Sequence, residues 1–140
     1  GNSQSGSITG LYTVLVDGDD LTEPVTDTAR GILDGHIVLS RSLANRNQYP
    51  AIDVLASISR VMSDIISDEH KAISKEIKKV MAVYRDAEDL INIGAYVKGS
   101  NEKIDYAIDV YDNIISFLEQ STHEKFTFEE VMDHIGSVMG

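Results

Sequence analysis

The chain of 140 residues contains no cysteine, which excludes disulfides and thiolate metal sites. Proline occurs only twice, and each marks a boundary. Pro24 suits the first turn of a helix, and Pro50 forces Tyr49 before it to be extended. Positive charge is scarce: 12 Lys and Arg stand against 23 Asp and Glu, a formal net charge of −11. A surface for nucleic-acid phosphates needs clustered cations, and the short run Lys75-Glu76-Ile77-Lys78-Lys79 is flanked by acids. Nucleic acid is therefore not an expected partner, whereas basic protein surfaces are. No apolar run approaches the roughly 20 residues that span a bilayer, and no signal-peptide or lipidation pattern is visible. The cytoplasm is the expected compartment. The chain opens on the polar stretch Gly1-Asn2-Ser3-Gln4-Ser5-Gly6 and not on Met, which reads as a loop and as the start of a piece of something larger.

Several kinds of site are missing as patterns. A phosphate-binding loop requires G-x-x-x-x-G-K-[ST], in which the Lys neutralises the β- and γ-phosphates and the hydroxyl holds magnesium. Gly1 to Gly6 has the glycine spacing, but Ser7 stands where the Lys must be and Ile8 where the hydroxyl must be. The acidic turn Asp17-Gly18-Asp19-Asp20 does not continue into a calcium loop, because Thr22 and Thr28 occupy the positions that need Gly and Glu. His36, His70, His123 and His134 lack metal spacing and read as ordinary surface or half-buried residues. Ser57 and Ser59 lie near no nucleophile elbow.

What is present begins with Ile8 to Val16, a β-branched and aromatic run that predicts a buried strand ended by the turn at Asp17-Gly18-Asp19-Asp20. A short helix is predicted from Pro24 to Leu33, stopped by Gly35, and a second short strand at His36 to Leu39. Ser40 caps one or two further helical turns before Asn45 to Gln48 breaks them. Strand, helix and strand in alternation are the grammar of an α/β layer, and two short strands do not make a stable sheet alone. Beyond Met62 the period changes. His70, Ile73, Ile77, Met81, Tyr84, Ala87 and Ile91 lay one apolar stripe along a long helix ending at Gly94. A second helix after Ser100 aligns Ile104, Ala107, Ile108, Tyr111, Ile115 and Leu118. A third starts at Thr127, with Glu130 completing a capping box, and presents Phe128, Val131, Ile135 and Val138. The predicted fold class is α/β followed by an antiparallel bundle of about three helices, divided into residues 1–62 and 63–140.

Four longer stretches carry a resemblance. They are Gly6-Ser-Ile-Thr-Gly-Leu-Tyr-Thr-Val-Leu-Val-Asp-Gly-Asp-Asp-Leu-Thr-Glu-Pro24, Gly31-Ile-Leu-Asp-Gly-His-Ile-Val-Leu-Ser-Arg41, Tyr49-Pro-Ala-Ile-Asp-Val-Leu-Ala-Ser-Ile-Ser-Arg-Val-Met62 and Asp89-Leu-Ile-Asn-Ile-Gly-Ala-Tyr-Val-Lys-Gly-Ser100. Together they closely resemble the C-terminal part of type III secretion and flagellar export ATPases, within the superfamily of rotary ATP synthase α and β subunits.

The resemblance implies that residues 1–62 are the last portion of a RecA-like nucleotide-binding domain and that residues 63–140 are its helical C-terminal domain. It implies a homohexamer that binds ATP and Mg²⁺ between neighbouring subunits. Arg60 matches the arginine finger that reaches the γ-phosphate held by the adjacent subunit, a role suited to a permanently charged, planar guanidinium. The bland alternative is a structural Arg paired with Asp53 or Asp64. Tyr49 matches the tyrosine that lies against the adenine ring, the alternative being a ring that packs between domains. Asp19, Asp20 and Glu23 match an acidic loop facing a central stalk protein. Export chaperone–substrate complexes and the export gate at the inner face of the cytoplasmic membrane are the other implied partners. The Walker A and B motifs lie outside the chain, so the fragment alone is expected to be inactive. Two rival readings are a catalytic-subunit fragment of a rotary ATP synthase, which the Val97-Lys98-Gly99-Ser100 segment disfavours, and a non-hydrolysing module that docks chaperones or a stalk.

Overall fold

Two strands of two residues each open the chain, β1 (Asn2–Ser3) and β2 (Gly6–Ser7), paired antiparallel with Asn2 opposite Ser7 and Ser3 opposite Gly6. The computed structural model describes residues 1–139, except for the side chain of Asp19. The chain divides after Leu33 into two units.

In the first unit the predicted strand at Ile8 to Val16 is not formed. These residues have no regular structure, and Leu11 is 96% and Leu15 92% exposed. The physical reason is the lack of a neighbour. A strand buried on both faces takes its hydrogen bonds and its burial from adjacent strands, and no described strand lies alongside this one. The turn that follows is present as a 3₁₀ turn, Asp17–Asp19, in which Gly18 adopts φ +59°, a conformation open to glycine. Helix α1 (Pro24–Ile32) then starts with Pro24 in its first turn, as expected, and buries Thr26.

The second unit contains the sheet and the helical core. Strand β3 (Gly35–Leu39) pairs antiparallel with β4 (Ile52–Ser59), a strand that the sequence analysis does not predict. Gly35 lies opposite Ser59, and a Cβ there would meet the Ile58 carbonyl oxygen at 2.7 Å, so the close approach requires glycine. His36 faces Ile58 while Val38 faces Asp53, so the four residues Val54 to Ser57 stand against Ile37 alone. This is a bulge on a large scale. Asp53 holds it: its Oδ1 accepts from the backbone N–H groups of Leu55 and Ala56, both at 3.0 Å. The Ser57 hydroxyl donates to the Asp53 carbonyl at 2.7 Å and accepts from the Val38 N–H at 2.9 Å. Between the strands, α2 (Arg41–Asn45) is capped by Ser40, as predicted. Tyr49 and Pro50, expected to be extended, instead form a bend through a cis peptide bond.

After a single turn, α3 (Met62–Ile65), come the three predicted helices: α4 (Asp68–Asn92), α5 (Glu102–Leu118) and α6 (Phe128–Val138). Each begins at a side-chain cap, supplied by Ser67, Asn101 and Thr127, and the Thr127–Glu130 capping box forms in both directions. Their shared core is Ile77, Val80 and Met81 of α4, Ala107 and Ile114 of α5, and Ile135 and Val138 of α6. Tyr84 stacks on Tyr111 with ring centroids 3.6 Å apart, at similar distances from the α4–α5 connection, as in an antiparallel helical hairpin. Phe128 departs from expectation: it is 68% exposed, with its ring 6.2 Å from that of His70 between centroids. Placed at the first position of α6, it lies beyond the stretch where that helix meets the others. The bulge of β4 delivers Val54 and Leu55 against the helical core, which joins the sheet to the helices. Among the described residues no helix is long and apolar enough to cross a membrane.

Candidate functional site

The bulge shortens β4. The eight residues of β4 run alongside the five of β3, so its ends are only about 13 Å apart at the usual rise per residue. Tyr49 and Pro50 enter at one end, and Ser59 and Arg60 leave at the other. The strand therefore presents two candidate residues in opposite directions from one rigid ladder.

At the entering end, Asn47 takes φ +64°, which its short polar side chain tolerates. Gln48 is buried, with its N–H donating to the Leu43 carbonyl at 3.1 Å. This sharp turn leaves Tyr49 54% exposed. The Tyr49 carbonyl accepts the N–H of Gln120 at 3.0 Å, which brings the segment after α5 beside the ring. An open hollow of about 290 Å³ results, lined by Asn47, Tyr49, Glu119, Gln120, Ser121 and Glu124. The far wall is held by its own bonds, from the Gln120 side-chain amide to the Glu124 carbonyl at 2.8 Å and from the Ser121 N–H to the Glu124 carboxylate at 2.7 Å. An exposed aromatic ring facing amide and hydroxyl groups can stack on a planar base and hydrogen-bond its edge. Sequence reasoning misses residues 119–124, since nothing in a polar inter-helix run announces that it folds back on Tyr49.

At the leaving end, Arg60 follows the last paired residue of β4, is exposed, and donates its backbone N–H to the Asp34 carbonyl at 2.8 Å. Asp53, one of two carboxylates that a structural arginine could use, receives Arg85 Nη2 of α4 at 2.8 Å. Burial opposes ionisation of Asp53. The bonds from Arg85, Ala56 and Leu55 and the nearby guanidinium charge outweigh it and hold the carboxyl below its usual value. The other, Asp64, accepts from the Ser63 hydroxyl at 3.3 Å. A second bond from the sheet side to α4 runs from Arg46 to Glu88, beside the Tyr84–Tyr111 stack. Burial first, and then the charge of Glu88, raise both tyrosine hydroxyls above the ordinary value. The strand with Tyr49 and Arg60 at its ends is thus tied to α4 through Asp53, and the end of α2 before it through Arg46.

Asp20 and Glu23 belong to the first unit and are described there alone. The Asp20 carboxylate accepts from the Thr22 hydroxyl and, at 2.9 Å, from the Thr22 N–H, and these bonds lower its pKa. Glu23 is half-buried. The side chain of Asp19, named with them, lies outside the described residues. The structure does not bring Tyr49 and Arg60 together; it sets them at opposite ends of β4.

The family described as the T3SS EscN ATPase C-terminal domain matches residues 66–136, and the ATP synthase alpha/beta family nucleotide-binding domain matches residues 1–59. The flagellum-specific ATP synthase of Bacillus subtilis is 51% identical over all 140 residues, which make up 32% of that relative. Among solved structures, the assembled ATPase EscN of the enteropathogenic E. coli type III secretion system superposes with a TM-score of 0.92 at 42% identity, over 96% of this chain and 33% of that one. EscN in complex with its central stalk EscO gives a TM-score of 0.88 at 41% identity, over 100% of this chain and 33% of that one. The chain spans about a third of the length of the curated relatives it matches.

Proposed function

The chain belongs to the family of type III secretion and flagellar export ATPases, and on that premise we propose that it is the C-terminal part of a subunit that hydrolyses ATP to drive protein export. Residues 1–62 complete the nucleotide-binding domain and residues 63–140 are the helical C-terminal domain, a division supported by the two family matches over 1–59 and 66–136.

The observation that carries the reading is the placement of Tyr49 and Arg60 at opposite ends of one strand. A residue pair set this way serves two different nucleotides in a closed ring of identical subunits. Tyr49 lies against the base bound by its own subunit, with Gln120 and Ser121 at the edge of the same hollow. Arg60 reaches out to the γ-phosphate held by the next subunit in a homohexamer. There a permanently charged, planar guanidinium contacts two phosphate oxygens and stabilises the charge that develops as the terminal phosphoryl group departs. Mg²⁺ would be held by residues of the parent outside this chain, where it would supply positive charge to the phosphate oxygens. The phosphate-binding loop and the group that positions the attacking water also lie there, so the fragment alone is inactive.

The acidic turn with Asp19, Asp20 and Glu23 faces a central stalk protein. Support comes from its exposed, ionised Asp20 and from the likeness to EscN, which has been solved with its stalk EscO. The helical domain docks chaperone–substrate complexes where the parent sits, at the inner face of the cytoplasmic membrane. Steady-state ATPase activity of the full-length parent tests the proposal. Arg60→Ala is expected to lower turnover by roughly a thousandfold with nucleotide binding retained. Unchanged turnover makes Arg60 structural and removes the trans-acting role.

A further inference from the structure

In sequence the lysines of α4 are flanked by acids. Folding leaves Lys75 and Lys78 apart from those acids. Lys71, Lys75 and Lys78 fall at helical spacings of four and three residues and so share one face. They line an open hollow of about 330 Å³ against the segment that leaves β4, with Met62 and Ile66 as its apolar floor and Ser59 at its edge. Among the described residues no ion pair or hydrogen bond engages Lys75 or Lys78, and Lys71 has only a 3.4 Å contact with the fully exposed Asp68. Lys79, one position further round the helix, is by contrast held by Glu76 at 3.1 Å. The other nearby acid, Asp64, is bonded to Ser63. Three like charges at such spacings repel one another and weaken the helix slightly. In a chain with a formal net charge of −11, a concentration of cations on one hollow, only Lys71 of them paired, runs against the field of the rest of the molecule.

We propose that the Lys71–Lys75–Lys78 ridge is an electrostatic seat for acidic side chains of an adjacent copy of the same protein, clamping the subunit boundary beside Arg60. The proposal rests on the ring arrangement given above. The hollow begins at Ser59, one residue from the Arg60 that this arrangement turns toward the next subunit. A second copy is also a suitable occupant by charge, with 23 acids against 12 basic residues in this stretch alone. Met62 and Ile66 give carboxylate-bearing side chains an apolar floor for their stems, and the lysines meet the charge at the rim. A nucleic acid fits less well, since no aromatic side chain on which a base could stack lines the hollow.

The test is sedimentation velocity of the full-length protein across a series of concentrations and salt strengths. Wild type, Lys75→Glu/Lys78→Glu, Lys75→Gln/Lys78→Gln and Arg60→Ala are compared, with circular dichroism confirming that each is folded. Wild-type assembly is expected to weaken as salt rises. Charge reversal is expected to weaken it about tenfold or more at low salt and to flatten the salt dependence, with the neutral variant in between. Arg60→Ala is expected to assemble like wild type while losing turnover. Reversal variants that assemble with wild-type concentration and salt dependence sink the ridge alone. A wild type that stays monomeric at every condition sinks both the ridge and the ring, and an Arg60→Ala protein with full turnover sinks only the catalytic role.

Discussion

Ile8–Val16 in the first unit and the central turns of α4 in the second are both rich in apolar side chains, and they meet opposite fates. Leu11 and Leu15 are almost wholly exposed, whereas Ile77, Val80 and Met81 are buried. A helix satisfies its own backbone and needs a partner only for one face. A strand needs partners for its backbone and, when it is apolar throughout, for both faces as well. The α4 helix finds α5 and α6 within the described chain; of Ile8–Val16, Ile8 bonds to Gly1 and the stretch joins no described strand. An apolar stretch of sequence therefore reports a demand for burial, and the topology around it decides whether the demand is met.

The sharpest test of the comparison lies in the helical core. Ile114 is 0% exposed and packs among residues of all three helices, so Ile114→Ala is expected to cost about 2–5 kcal/mol through lost burial and the cavity left behind. Urea unfolding of this chain would show it as a lowered midpoint at an unchanged slope. A cost below 1 kcal/mol would mean that the core collapses around the gap.

A smaller effect is expected where sheet and helices join. Asp53→Asn removes a charge-assisted bond to Arg85 and weakens the two backbone bonds that hold the bulge, for about 1–3 kcal/mol. The pH dependence has a definite sign. The carboxyl is held below its ordinary 3.8 in the folded protein, so its contribution is fully present above that value and is lost as pH falls through the lower folded pKa. The stability gap between wild type and variant should accordingly be constant above about pH 5 and shrink below pH 4. A gap that stays constant down to pH 2 would contradict this assignment.

The smallest effect is expected in the first unit. Leu15→Ala removes a side chain that is 92% exposed and should change the stability of this chain by no more than about 0.5 kcal/mol. On the proposed reading, in which further strands of the full-length parent flank this stretch, the same substitution should cost about 2–5 kcal/mol there. Equal, small effects in both proteins would show that Ile8–Val16 is not a core strand even with its neighbours present.

The legible parts of the molecule were those whose rules are local. The capping box of Thr127 and Glu130, the caps at Ser40 and the start of α1 at Pro24 can be read from residues next to one another, and the stripe of α4 from a period of three and four. The illegible parts depend on contacts across the chain. Nothing near Asp53 in sequence announces that Arg85 pairs with it, so neither β4 nor its bulge is apparent in advance. Val80 escapes the predicted stripe because it sits at its edge, and it is buried because α4 packs against two helices at once. The candidate site shows the same division. Tyr49 and Arg60 can be singled out by resemblance, while the wall contributed by Gln120 to Glu124 is visible only once that segment has folded back.

The bond from Gln120 to the Tyr49 carbonyl closes a long loop that contains β4 and the α4–α5 hairpin. In a chain without cysteine this is a noncovalent cross-link, and the hollow lies on both of its ends. On the reading proposed above, a base seated there would span the junction and add its binding energy to the closure, tightening the hold between two distant stretches of polypeptide.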